Sequence, residues 1–194
     1  MSLESYLEEN LIEAGVDEAG RGALAGPVVA AAVILPKDFK SNLIKDSKKL
    51  SEKGRAKALK EIEENAISYN VESIDIDDID RFNILNSTFS AMNKAINGLS
   101  VKPEHILVDG DSFCSTSETP YTCVIKGDDK YLSIAAASIV AKVYRDEIMK
   151  LLSEQHPSYK WDKNKGYGTK HHIDTIREEG ITRYHRKTFL KNIL

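Results

Sequence analysis

Cysteine is nearly absent: Cys114 and Cys123 are the only two in a chain of 194 residues. They stand in no C-x-x-C or Cys/His spacing, so no zinc site is legible, and free thiols in a reducing cytoplasm are expected rather than a disulfide scaffold. No apolar run approaches the ~20 residues of a membrane span. The opening, MSLESYLEEN, has neither a basic start nor an apolar core, so no secretory signal is expected. Repeats, low-complexity tracts and Pro/Gly/Ser-rich linkers are missing as well. A single domain over 1–194 follows, and the 41% hydrophobic and 29% charged residues place it among ordinary globular proteins.

Positive charge is in short supply overall, the net being −3, which offers no general attraction to a polyanion. Its distribution is uneven. From Lys160 to Leu194 there are nine Lys/Arg and four Asp/Glu, or +5, which leaves −8 for residues 1–159. The basic extension, about 156–194, is therefore where a phosphate backbone would be gripped. The acidic remainder includes carboxylates whose charge a bound cation would partly cancel.

The chain is organised around residues 13–35. Apolar Ala14–Val16 closes on the acids Asp17 and Glu18, then on Gly20-Arg21-Gly22, and a second apolar run is fenced by Pro27 and Pro36. This reads as strand, tight turn, strand. Neighbouring strand side chains point to opposite faces, so both acids serve one site only where the strand ends or bulges. Gly20–Ala25 also fits G-x-G-x-x-A, but that dinucleotide fingerprint requires a helix starting in the glycines. Gly26-Pro27 and a second strand leave such a helix no place. A hairpin with solvated acids is the bland alternative, and it does not explain why an acid pair closes an apolar strand.

Further on, Ser51 caps an expected helix to about Ile67, and a strand covers Ser68–Ile74. Asp75, Asp77, Asp78 and Asp80 precede a helix carrying Leu85, Phe89, Met92 and Ile96 and stopping at Gly98. A strand from His105 ends in Asp109, and another from Tyr121 to Lys126 ends in Gly127-Asp128-Asp129. The longest helix is expected from about Leu132 to Gln155, with Ser138 and Lys142 four apart on one face. Tyr159, Trp161 and Tyr167 alternate with lysines, a pattern suited to nucleic-acid contact, although Trp161 reads as packing. A last helix spans roughly His172–Glu179, before a basic tail through His185, Arg186 and Lys187. Three strand ends thus deliver carboxylates, where open α/β sheets hold their ligands. A mixed α/β sheet flanked by helices fits this order. On the residues alone, Asp17, Glu18, Asp109, Asp111, Asp128, Asp129 and Asp146 all stand as candidates. The five histidines stand in no ligand spacing and beside no obvious acid partner, which weighs against histidine-driven, metal-free catalysis.

Gly15–Pro27, Asp46–Ser51, Asn83–Leu85, Leu107–Gly110, Lys126–Asp128, Ser133–Lys142, Lys165–Thr169 and His185-Arg186 occur in the order and spacing of one family. Along almost its whole length the chain resembles a bacterial ribonuclease HII, of the type 2 ribonuclease H family. The resemblance implies a ribonuclease H-like fold with a small helical C-terminal extension, and Mg²⁺ or Mn²⁺ held by Asp17, Glu18, Asp109 and Asp128. It implies that Gly20, Arg21 and Gly22 read the ribose 2′-hydroxyl, that Lys48 and Lys49 meet backbone phosphates, and that Tyr167 senses the adjoining deoxynucleotide. The implied partners are RNA–DNA hybrids and DNA duplexes containing ribonucleotides, cut by a monomer to give 5′-phosphate and 3′-hydroxyl ends. The chain departs from the family pattern at Asp129, where a small neutral residue is usual, and at Ala23, where proline is common. A non-catalytic nucleic-acid binding domain is the rival reading, and it has no need of acids at three strand ends.

Overall fold

The two apolar runs pair as expected. In the computed structural model, which describes residues 3–191 and Ile193, β1 (Glu13–Ala19) and β2 (Val28–Ile34) run antiparallel, with Asp17 opposite Ala31 and Glu18 opposite Ala30. Met1, Ser2, Asn192 and Leu194 of the expected 1–194 span lie outside the described residues. β3 (Ser68–Ile74) adds antiparallel to β2. β4 (His105–Asp109) lies parallel to β1, and β5 (Tyr121–Val124) parallel to β4. The five-stranded sheet has the order β3-β2-β1-β4-β5, so its centre is buried on both faces, which is why β1 and β2 lack polar alternation.

One face carries Ala14, Val16, Ala30, Ile106 and Val108, covered by Ala91, Met92 and Ile96 of α3 (Ile84–Asn97). The other carries Ala19, Val29, Ala31 and Val33, covered by α4 (Leu132–Gln155) and by α1 (Glu52–Asn65), which Ser51 caps. The Ala135–Ala137 stretch lets α4 lie directly on β1. The approach is so close that a Cβ on Gly15 would sit 2.2 Å from the Ser133 carbonyl carbon.

Three local readings need correction. The acid run is not a loop ahead of one helix; it forms its own helix, α2 (Ile76–Phe82), with Asp77 and Asp78 in the first turn and Ile76 and Ile79 buried. β5 stops at Val124, Lys126 turns left-handed, and Asp128 stands on a 3-10 turn, Gly127–Asp129. His105 does have an acid partner: its Nδ1 lies 2.8 Å from Glu13 Oε1, at the end of β1 and β4 remote from Asp17 and Asp109.

The C-terminal part adds α5 (Trp161–Asn164) and α6 (Lys170–Glu179), and packs through Leu24, Met149, Tyr159, Trp161 and Ile176. Trp161 is fully buried, as its packing role requires. His172 Nδ1 donates to the Tyr167 carbonyl at 2.9 Å, so its Nε2 is the acceptor for Trp161 Nε1 at 3.0 Å. His185 Nδ1 accepts from the Thr182 amide, and its Nε2 lies 3.2 Å from His172 Nε2. His185 and Arg186 are therefore interior residues, not part of a phosphate-gripping tail.

Candidate active site at the ends of the parallel strands

The parallel register of β1 and β4 sets Val16 opposite Val108, so the next residue of each, Asp17 and Asp109, emerge side by side at the carboxyl ends. β4 finishes there, while β1 continues through Glu18 to Ala19 in unbroken register with β2. There is no bulge at the acids, and both stand inside β1, which ends just beyond them at Ala19. Alternation turns Asp17 toward α4 and Glu18 toward the opposite face, and a cleft of about 400 Å³ wraps over the strand end and reaches both. Asp128 arrives from the 3-10 turn after β5. That turn is tied to β4 by the Gly127 amide, which donates to Asp109 Oδ1 at 2.7 Å. Gly127 permits the approach, because a Cβ there would meet Ile134 Cδ1 at 2.5 Å.

These carboxylates sit in an environment hostile to their own charge. Burial pushes the Asp17 carboxyl well above its usual value, and Glu18 and Asp109 add like-charge repulsion; only the Ser138 hydroxyl and the Glu18 amide oppose this. Burial also raises Glu18, against the neighbouring Arg21 guanidinium at 3.3 Å. Asp109 is raised by burial and by Asp128, although the Gly127 amide favours its charged form. Among the described residues, no three His, Cys, Asp or Glu side chains are already drawn together as a metal-gripping group. The donor chemistry nevertheless fits a hard divalent cation: the donors are carboxylate oxygens, and Asp17 and Asp128 are buried.

The glycine turn forms the adjoining wall. Gly20 has φ +97 and a Cβ would strike Arg145 Nε at 2.0 Å, so glycine is required there; nothing lies within 4 Å of the Cβ position of Gly22, which leaves that backbone open. The chain passes from the turn to β2 without a helix, which removes the dinucleotide reading. Arg21, Lys48 and the exposed ring of Tyr167 line the same cleft. Lys48 Nζ lies 3.5 Å from Asp128 Oδ2. Lys49 does not reach the cleft: it pairs with Asp129 and, at 3.5 Å, with Asp46.

The rivals fall away on their surroundings. Asp129 pairs with Lys49, whose contact holds its carboxyl below the ordinary range. Asp146 is neutralised by Lys142 at 2.5 Å and Arg55 at 3.6 Å. Neither Asp111 nor Asp128 lines the cleft; Asp111 is exposed, whereas Asp128 is buried and borders the cleft through Lys48. Three polar residues join the cleft lining without a role read from the sequence: Ser47, Ser138 and Lys142. The spacing of Ser138 and Lys142 was a usable signal, whereas nothing in the sequence marks Ser47, whose hydroxyl meets that of Ser138 at 3.0 Å.

A mixed five-stranded sheet that gathers acids at its parallel strand ends, beside an open backbone turn, defines a ribonuclease H-like hydrolytic nuclease. The family model for ribonuclease HII matches residues 14–192, and the chain belongs to the ribonuclease HII family. The ribonuclease HII of Bacteroides thetaiotaomicron is 56% identical over 184 residues, covering 95% of this chain and 92% of that protein. The ribonuclease H2 of Pyrococcus horikoshii superposes with a TM-score of 0.77 at 26% identity, over 93% of this chain and 96% of that one. The fold is shared with a Bst ribonuclease HIII solved in complex with Mn²⁺ (TM-score 0.68, 21% identity, 92% of this chain and 67% of that one).

Proposed function

We propose that this chain is a divalent-metal-dependent endonuclease that hydrolyses the RNA strand of RNA–DNA hybrids. It also nicks DNA duplexes on the 5′ side of an embedded ribonucleotide, leaving a 3′-hydroxyl and a 5′-phosphate. The observation that carries this reading is the meeting of Asp17, Glu18 and Asp109 beside the open Gly20–Gly22 turn in one cleft. Asp17, Glu18, Asp109 and Asp128 would hold Mg²⁺ or Mn²⁺, and the Mn²⁺ complex of the ribonuclease HIII neighbour supports the divalent class. Bound there, such cations supply an activated water and neutralise charge on the phosphate and the departing oxygen.

The chain's own groups orient the substrate. Ser138 holds Asp17, and Lys48 meets a phosphate at the cleft mouth. The backbone of Gly20, Arg21 and Gly22 takes the 2′-hydroxyl, the group that separates RNA from DNA. Tyr167 offers its ring to the neighbouring deoxynucleotide. Lys49, engaged by Asp129 and Asp46, makes no direct contact with the phosphate in this reading.

The same reading takes the chain as one monomeric domain working in the cytoplasm, a setting that suits the two free thiols. Among the described residues no helix is long and apolar enough to cross a membrane. The test is nicking of a DNA duplex carrying one ribonucleotide, mapped to the nucleotide. Cleavage immediately 5′ to the ribose, abolished by EDTA and restored by Mg²⁺ or Mn²⁺, is expected. An EDTA-resistant cut that leaves a cyclic phosphate would overturn the proposal.

A further inference from the structure

Arg145 on α4 and Arg186 beyond α6 are both fully buried, and among the described residues neither forms an ion pair. An unpaired buried charge is costly, so the destination of its donors is informative. All five hydrogen bonds go to main-chain carbonyls. Arg145 donates through Nε to Pro27 at 2.9 Å, through Nη2 to Ala25 at 3.1 Å and through Nη1 to Lys165 at 2.9 Å. Arg186 donates through Nε to Gly26 and through Nη1 to Arg21, both at 2.9 Å.

These carbonyls belong to two separate pieces of chain. Arg21 to Pro27 is the glycine turn and its run into β2; Lys165 stands two residues before Tyr167. The Arg145 guanidinium also lies 5.5 Å from the Tyr167 ring centroid, and its side chain fills the space left by the missing Cβ of Gly20. The Gly166 carbonyl closes the join by accepting from the Leu24 amide at 2.8 Å.

We propose that Arg145 and Arg186 are positioning residues, Arg186 bracing the glycine turn and Arg145 tying that turn to the Tyr167 segment, and that they so set the preference for a ribonucleotide flanked by DNA. This rests on the reading of the turn and of Tyr167 given above. The chemistry explains the residue type. A planar guanidinium presents several donors in a rigid fork and so spans several carbonyls at once, which a lysine ammonium does not. Of the Arg186 nitrogens, Nη2 is left without a hydrogen-bond partner among the described residues. Burial, reinforced by the Arg145 charge, pulls Arg186 down to about 9, so it stays protonated at neutral pH.

Arg145→Lys, Arg186→Lys and Tyr167→Ala are compared by kcat and KM on a DNA duplex with one ribonucleotide and on a continuous RNA–DNA hybrid, with Tm measured alongside. The lysine variants keep the charge and lose the fork. Their kcat/KM on the single-ribonucleotide duplex is expected to fall roughly 10- to 100-fold, and that on the hybrid far less, so the ratio moves toward that of Tyr167→Ala. Equal losses on both substrates, with the ratio unchanged in whichever lysine variant folds, would overturn the positioning role. An unchanged ratio in Tyr167→Ala alone refutes the tyrosine reading, while a lowered ratio in the lysine variants still upholds the inference through the glycine turn. Should neither lysine variant fold, Arg186→Gln, which retains amide donors near the Gly26 and Arg21 carbonyls, is read by the same ratio.

Discussion

Asp17 is held where its charge is least welcome. Its carboxyl is raised by burial and by the neighbouring acids, so the folded chain binds its proton more tightly than the unfolded chain does. Stability from this group is therefore present at low pH and is lost as pH rises toward neutrality. Asp17→Asn is expected to raise Tm in EDTA by about 2–4 °C, equivalent to roughly 1 kcal/mol for a chain of this size. The same variant should bind hybrid yet lose cleavage by about 1,000-fold or more, a barrier increase of about 4 kcal/mol. Thermal melts with and without Mg²⁺, beside cleavage assays, check both, and unchanged cleavage would remove Asp17 from the metal site. Asp17, Glu18 and Asp109 were legible because each closes an apolar strand beside glycine. The roles of Asp129 and Arg186 were not. An acid beside another acid looks like a ligand until Lys49, 80 residues away, claims it. An arginine in a basic tail looks exposed until its carbonyl partners, up to 165 residues distant, are known.

At the scale of the element, the β1–α4 contact governs the site, since it aims Asp17 at Ser138. Gly15 lets the helix backbone touch the strand. Gly15→Ala is expected to destabilise by at least about 1–3 kcal/mol, because the atoms its Cβ would meet are main chain of Ser133 and Ile134 and cannot rotate away. Cleavage should fall with it, as β1 is displaced under Asp17; a melt within 1 °C of the parent would contradict this close packing. The strands, the turn and the long helix were readable from proline fences, alanine clusters and glycine stops. α2 was not, because four aspartates within six residues mask the buried pair Ile76 and Ile79. The Glu13–His105 pair was equally hidden, its members being brought together only by the parallel pairing of β1 and β4.

At the scale of the whole molecule, the buried histidines link the C-terminal part to the catalytic cleft through the Tyr167 carbonyl. Burial, helped by the charge of His172, lowers His185 from 6.5 to about 4. The unfolded chain takes up its proton near pH 6.5 and the folded chain only near 4, so stability from this group is intact above 6.5 and is lost as pH falls through that window. Urea midpoints measured at pH 7, 6 and 5 should decline steadily, and His185→Gln should flatten that decline even if its midpoint starts lower. A parallel decline in the two proteins would assign the effect to other groups. The same long-range architecture bears on biosynthesis. Asp17 meets Asp109 only across the pairing of β1 with β4, and the turn beside it is stapled by Arg186, 165 residues beyond Arg21. A nascent polypeptide therefore carries its first acids long before the residues that assemble the cleft around them have been made.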